Sequence, residues 1–143
     1  RLLPSISFIS NFPEFNIRAY VTKNGKSGVY FLTLDAQSYI TCIYAPFSYS
    51  LPYRYATCDF EKNEKGGFNW HSKRKKGGMS LRGESSSQGP ILQAEKGSLE
   101  EFLFERYCLF TLINDNLCIG YVAHKPWVYQ KGEVHLEINS FTG

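Results

Sequence analysis

The sequence predicts a strand-dominated α+β domain, with one strongly curved antiparallel sheet and two short helices. Three observations lead there. Seven or eight segments carry the β-branched and aromatic residues of strands. Most are separated by turn signals such as Asn24-Gly25 and Gly77-Gly78, which suit hairpins. Only two segments space their apolar residues as a helix does. Strands joined mainly by hairpins lie antiparallel, and a sheet of that many strands buries one face by curving.

Ile17 to Val21 forms the first strand, and Asn24-Gly25 supplies the positive φ angles of a tight turn. Val29 to Leu34 is the second strand, and its almost unbroken apolar run asks for burial on both faces. Asp35 then suits a helix N-cap, because its carboxylate can accept orphan backbone N–H groups. Ala36, Tyr39, Ile40, Ile43 and Phe47 follow at helical spacing, giving a helix over 36–46 that Pro46 and Pro52 close. Tyr53 to Phe60 resumes as a strand. Phe68 to Arg74 and Met79 to Glu84 make a hairpin around Gly77-Gly78, and the Ser-rich stretch 85–90 reads as a polar loop. Ser98 and Glu101 form a capping box that opens a helix over 98–105. Tyr107 to Leu112 and Leu117 to Ala123 are strands about a turn at Asn114-Asp115-Asn116. In the last strand Val134, Leu136 and Ile138 alternate with Glu133, His135 and Glu137, the pattern of a half-buried strand.

The 143 residues amount to about one domain, 1–143. With 10 Tyr and 11 Phe the chain is too aromatic to be disordered over most of its length. No apolar run approaches the roughly 18 residues of a membrane span, and no charged-apolar-small leader opens the chain. The chain begins at Arg1 rather than Met, as a processed product or a fragment does. A formal charge of +3 is too small to call for a nucleic-acid partner. Cys42, Cys58, Cys108 and Cys118 form no CxxC pair and sit among apolar residues, as buried free thiols do. Together with the missing leader, they point to a reducing, cytoplasmic setting. No P-loop, GxSxG elbow, HExxH or strand-borne GxGxxG is present, which removes the commonest nucleotide, serine-hydrolase, zinc-protease and dinucleotide readings. No cofactor is expected.

Four constellations could carry chemistry. Asn16, Arg18 and Tyr20 share one face of a strand, which is a ligand-binding stripe if it faces inward and solvated surface if it faces outward. In Glu105-Arg106, the glutamate could fix the arginine for holding an anion, or the two could be a structural ion pair at an element end. His124, beside Trp127, is the candidate general acid or base, unless its ring only packs on the indole. His71, His124 and His135 are the only histidines and their spacing supports no metal site. The basic run Lys73-Arg74-Lys75-Lys76 would be a weak nucleic-acid contact or, more blandly, a solvated hairpin tip diluted by Glu61, Glu64 and Glu84.

Five blocks, taken in order, resemble one family. They are Phe12-Pro13-Glu14-Phe15-Asn16-Ile17-Arg18-Ala19-Tyr20-Val21, Gly28-Val29-Tyr30-Phe31 and Leu51-Pro52-Tyr53-Arg54-Tyr55-Ala56, then the stretch from Gly97 to Tyr107 and His124-Lys125-Pro126-Trp127-Val128-Tyr129-Gln130. The pattern is that of the YqjF-like family of uncharacterised bacterial proteins, over roughly residues 10 to 139, and is most specific at Glu105-Arg106-Tyr107. The resemblance implies a fold like that of acetoacetate decarboxylase, a curved antiparallel β-barrel around a ligand cavity. That superfamily works through a lysine Schiff base on a motif of Gly-aromatic-Pro-Lys-Lys. The matching stretch here is Ser50-Leu51-Pro52-Tyr53-Arg54, so a phenol, which cannot form an imine, stands at the lysine's place. Glu14 falls loosely where the family pattern has an acidic pocket residue.

The resemblance also implies a further N-terminal segment with strands of its own, whereas only about ten residues precede Phe12-Pro13-Glu14 here. The barrel is therefore expected to be incomplete, with an open edge that a second copy covers as a dimer. The functional expectation is a binding protein for a small anionic ligand, or an enzyme of unknown reaction. Asn16, Arg18, Tyr20, Tyr53, Glu105 and Arg106 would line the site and His124 would move protons. The alternatives are a non-catalytic protein-interaction module and a weak nucleic-acid binder through the hairpin at 73–76.

Overall fold

A computed structural model describes residues 12–140. The order is β1 (Glu14–Lys23), β2 (Lys26–Ala36), α1 (Tyr39–Tyr49), β3 (Tyr53–Lys62), β4 (Phe68–Arg74), β5 (Ser80–Gln93), α2 (Leu99–Phe104), β6 (Cys108–Ile113), β7 (Asn116–Tyr121) and β8 (Val128–Asn139). The class is the one the sequence predicts, strand-dominated α+β with two helices. The expectation about the start of the chain falls on residues outside those described.

The strands form one sheet in the order β7-β6-β2-β3-β4-β5-β8, with β1 on the other side of β2. Its hairpin pairs are antiparallel, but β2 runs parallel to both β3 and β6. The expectation of a purely antiparallel sheet is thus corrected. Helix α1 carries the chain back over the sheet, so β3 sets out in the direction of β2. Leu34 to Ala36 meet Tyr53 to Tyr55, while Val29 and Tyr30 meet Leu109 and Phe110. The sheet is open among the described residues, because β1, β7 and β8 each pair on one side only. It still curls. Phe15 on β1 and Trp70 on β4 lie 6.0 Å apart, ring to ring. A flat sheet would set their strands about 14 Å apart, three spacings of some 4.8 Å.

The β1–β2 and β6–β7 turns form as read, with positive φ at Asn24 and Gly25 and at Asn114 and Asp115. The first helix starts later than the spacing suggests. Ala36 and Asp35 end β2, Ser38 is the N-cap, and its hydroxyl accepts the Thr41 N–H at 3.3 Å. Pro46 lies inside α1, which continues to Tyr49 and ends on Ser50 with φ 51°. At α2 the Ser98 hydroxyl accepts the Glu101 N–H at 3.1 Å, and the Glu101 carboxylate reaches back to the Gly97 N–H at 2.6 Å.

Asp35 is not a cap but a buried ion-pair partner. It is fully shielded and takes two hydrogen bonds from Arg74 Nε at 2.9 and 3.0 Å and one from Nη2 at 2.7 Å. Arg74 is thereby withdrawn from the basic run, which leaves Lys73, Lys75 and Lys76 at the hairpin surface.

Residues 85–90 are not a loop. β5 runs through them, paired with β8 and interrupted by a bulge between Gln88 and Leu92. Serine is tolerated there because the Ser85 hydroxyl accepts the Phe68 N–H and donates to the Phe68 carbonyl. Val134, Leu136 and Ile138 are not half-buried. They stand 66%, 50% and 45% exposed, since among the described residues β8 is an edge strand and nothing covers its apolar side. The core proper is small: Val29, Leu34, Ala36, Ala45, Ala56, Cys58 and Phe110, where β2 meets its neighbours and α1.

Candidate functional site

β1 presents Glu14, Asn16, Arg18 and Tyr20 on one side, because side chains alternate along a strand and the one irregularity, Leu32, falls on β2. At one end of this row the Tyr53 hydroxyl donates to Glu14 Oε2 at 2.7 Å, and Asn16 Nδ2 donates to Glu14 Oε1 at 3.4 Å. Burial, with the Glu14 carboxylate beside it, pushes the Tyr53 phenol far above its usual range. Tyr53 is thus a neutral hydrogen-bond donor.

At the other end Arg18 Nε donates to the Tyr20 hydroxyl at 3.2 Å, and Arg18 Nη2 donates to the Leu103 carbonyl at 3.2 Å. The Tyr20 hydroxyl donates to the same carbonyl at 3.0 Å. Four groups then stack in series. Arg18 lies over the Tyr20 ring at 5.3 Å, Tyr20 packs on Phe102 at 5.0 Å, and Arg106 lies over Phe102 at 4.4 Å. The capping box on α2 holds Phe102 and the Leu103 carbonyl in place for this. Among the described residues neither guanidinium is in an ion pair.

Glu105 does not clamp Arg106 through its carboxylate. Arg106 Nη1 bonds the Glu105 backbone carbonyl at 3.2 Å, while Glu105 Oε1 accepts the Trp127 N–H at 2.9 Å and Oε2 accepts the Tyr107 hydroxyl. The Tyr107 hydroxyl, helped by the Trp127 N–H, holds this carboxyl below its usual range. His124 stacks on Tyr107 at 4.5 Å and lies 5.4 Å from Trp127. Its Nδ1 sits 2.8 Å from the Lys125 carbonyl, which can only accept, so Nδ1 carries the proton and Nε2 is left for other partners.

The structure therefore gathers the sequence-named residues into three groups. Arg18, Tyr20 and Arg106 meet on α2; Asn16 and Tyr53 meet at Glu14; Glu105 and His124 meet at Tyr107 and Trp127. The first two lie along the same row of β1. Phe102 and Tyr107 link the residues within their groups; Tyr107 stands in the Glu105-Arg106-Tyr107 motif without a site role of its own, and Phe102 was not singled out as a site residue. Their signal was the aromatic content of the stretch Ser98 to Tyr107.

Among the clefts of the described residues one lies away from this row and another touches it at Glu14. One of about 450 Å³ is lined by Asp59, Glu61, Trp70, His71, Arg82 and Glu137 among others. Another of about 390 Å³ is lined by Phe12, Pro13, Glu14, Phe15 and Phe60. The described residues hold no group of three or more His, Cys, Asp or Glu side chains placed for a metal ion. No helix among them is long and apolar enough to cross a membrane.

Over residues 1–142 the chain matches the family model DUF2071, "Uncharacterized conserved protein", and it belongs to that family. It is similar to the "Uncharacterized protein YqjF" of Bacillus subtilis (strain 168), at 37% identity over 145 residues. That match covers 99% of this chain and 59% of the relative, so the chain spans about three-fifths of the relative's length. No solved structure matches the chain.

Proposed function

We propose that this domain reversibly binds a small anion, a carboxylate above all, on an acetoacetate-decarboxylase-like scaffold without the Schiff-base amine. One observation carries the reading. Arg18 and Arg106 sit at the two ends of the Tyr20–Phe102 stack, and neither is neutralised by a carboxylate among the described residues. An anion drawn to this pair would accept forked, charge-assisted hydrogen bonds from the guanidinium it meets, with no carboxylate of the described residues competing for it. Asn16 and the neutral Tyr53 hydroxyl extend the row with further polar contacts. His124 Nε2 is the proton-transfer candidate.

Calorimetric titration with acetate, pyruvate and acetoacetate tests this. Arg18→Ala or Arg106→Ala should each weaken binding by about 1.5–3 kcal/mol, roughly 10- to 150-fold. Borohydride should trap neither acetoacetate nor pyruvate, because Tyr53 offers no amine. Unchanged affinity in both arginine variants overturns the anion site, and a borohydride adduct mapped to a lysine overturns the non-covalent reading.

A second reading, a protein-interaction module, is favoured by the outer side of α1. Ile40, Ile43, Tyr44 and Phe47 follow at i, i+3, i+4 and i+7, with Phe47 92% exposed, on a helix without a charged residue. The nucleic-acid reading is weaker, because Asp35 holds Arg74 and Lys75 lies against Tyr39 at 3.3 Å.

A further inference from the structure

We propose that the stacked pair Tyr39 and Tyr55 is an oxidative modification site, at which a one-electron oxidant joins the two rings by a carbon–carbon bond and ties α1 to β3. This inference is independent of the anion site and rests on contacts within the chain. β2 and β3 run parallel, with Ala36 opposite Tyr55. Ser38 caps α1, so Tyr39, its first residue, follows closely on the end of β2 and comes over β3. The two rings lie 3.8 Å apart between centroids, with planes only 12° from parallel. Tyr44 and Tyr49, by contrast, are 6.1 Å apart at 77°, an edge-to-face contact.

The surroundings of the pair favour the chemistry. Lys75 Nζ donates to the Tyr39 hydroxyl at 3.3 Å and lies 5.8 Å from the centre of its ring. This ammonium, with the Tyr55 hydroxyl beside it, holds the Tyr39 phenol below its usual range, while the Tyr39 hydroxyl pushes Tyr55 up. The two hydroxyl ends therefore lie together, and the ring carbons next to them face each other. More of Tyr39 is phenolate at a given pH than of an ordinary tyrosine, and phenolate gives up an electron more readily than phenol. In the step, each tyrosine loses one electron and one proton. The two phenoxyl radicals join through the carbons ortho to their oxygens, and each displaced ortho hydrogen moves to its oxygen to restore the phenol. Two electrons and two protons leave in all, and one hydrogen peroxide takes them up as two waters. Holding the rings in contact makes the coupling effectively unimolecular.

The 143-residue chain, oxidised at low concentration by photogenerated ruthenium(III) tris-bipyridyl with persulfate as the final electron acceptor, is expected to give a fluorescent dityrosine within one chain. The product should be two hydrogens lighter and map by peptide analysis to positions 39 and 55. The same oxidation in denaturing urea should lower the yield of that link about tenfold or more, because the unfolded chain no longer holds together two rings 16 positions apart. Tyr39→Phe should remove the link and Tyr44→Phe should leave it, with folding of both checked by circular dichroism. A folded chain that forms no 39–55 link overturns the proposal. So do links that map chiefly to other tyrosines, or an equal yield of the 39–55 link in urea.

Discussion

Asp35 shows how a single residue changes meaning between sequence and structure. Followed by Ala36 and a helical pattern, a carboxylate reads as a cap. In the fold it is fully buried against Arg74, 39 positions away in sequence. The available signal was an aspartate closing an apolar strand run, where a buried charge needs a partner. Nothing local names Arg74 as that partner. Asp35→Ala should cost about 3–5 kcal/mol in denaturant unfolding, because it strands the guanidinium in a poorly hydrated site. Tyr53 gives a pH signature. Its folded pKa is raised, so its stabilising contribution is complete below the unfolded value of about 10 and declines as pH rises beyond it. Urea midpoints at pH 8 and pH 11 should show that decline, and Tyr53→Phe should make it shallower.

At the scale of elements, the parts set by local chemistry were legible. Asn24-Gly25, Asn114-Asp115 and the Ser98 capping box form where the sequence puts them, since each depends on residues a few positions apart. Ser98→Ala should cost about 1 kcal/mol and loosen α2, and with it the stack that carries Arg18 and Arg106. The polar stretch in β5 was not legible, because its strand character comes from pairing with β8 rather than from its serines. Glycines separate the two kinds of cause. Gly25 needs positive φ and has open space around it, whereas a Cβ on Gly67 would lie 2.1 Å from the Ser85 carbonyl oxygen. Gly25→Ala should therefore cost about 1–2 kcal/mol from backbone strain alone. Gly67→Ala should cost more, by forcing β4 from β5, and comparison of thermal midpoints checks the order.

At the scale of the whole molecule, burial is concentrated around β2, and the periphery is thinly covered. Hydrogen exchange should accordingly be slowest over Val29 and Tyr30 and over Leu34 to Ala36, the parts of β2 paired on both sides, and fast over the exposed terminal strand β7. Equal protection of the two would contradict the sheet order.

By itself the sequence determined the class, the two helices, the hairpin turns and the family, because these rest on periodicity, short-range hydrogen bonding and motif order. It also named Arg18, Tyr20 and Arg106. Only the tertiary structure decided that β2 runs parallel to β3 and β6, that Asp35 faces Arg74, and that Arg18 and Arg106 share one aromatic stack while Tyr53 turns to Glu14. Those are contacts between residues 19 to 88 positions apart. A chain read one window at a time holds no term for them, since the energy that selects them is shared between segments that meet only after folding.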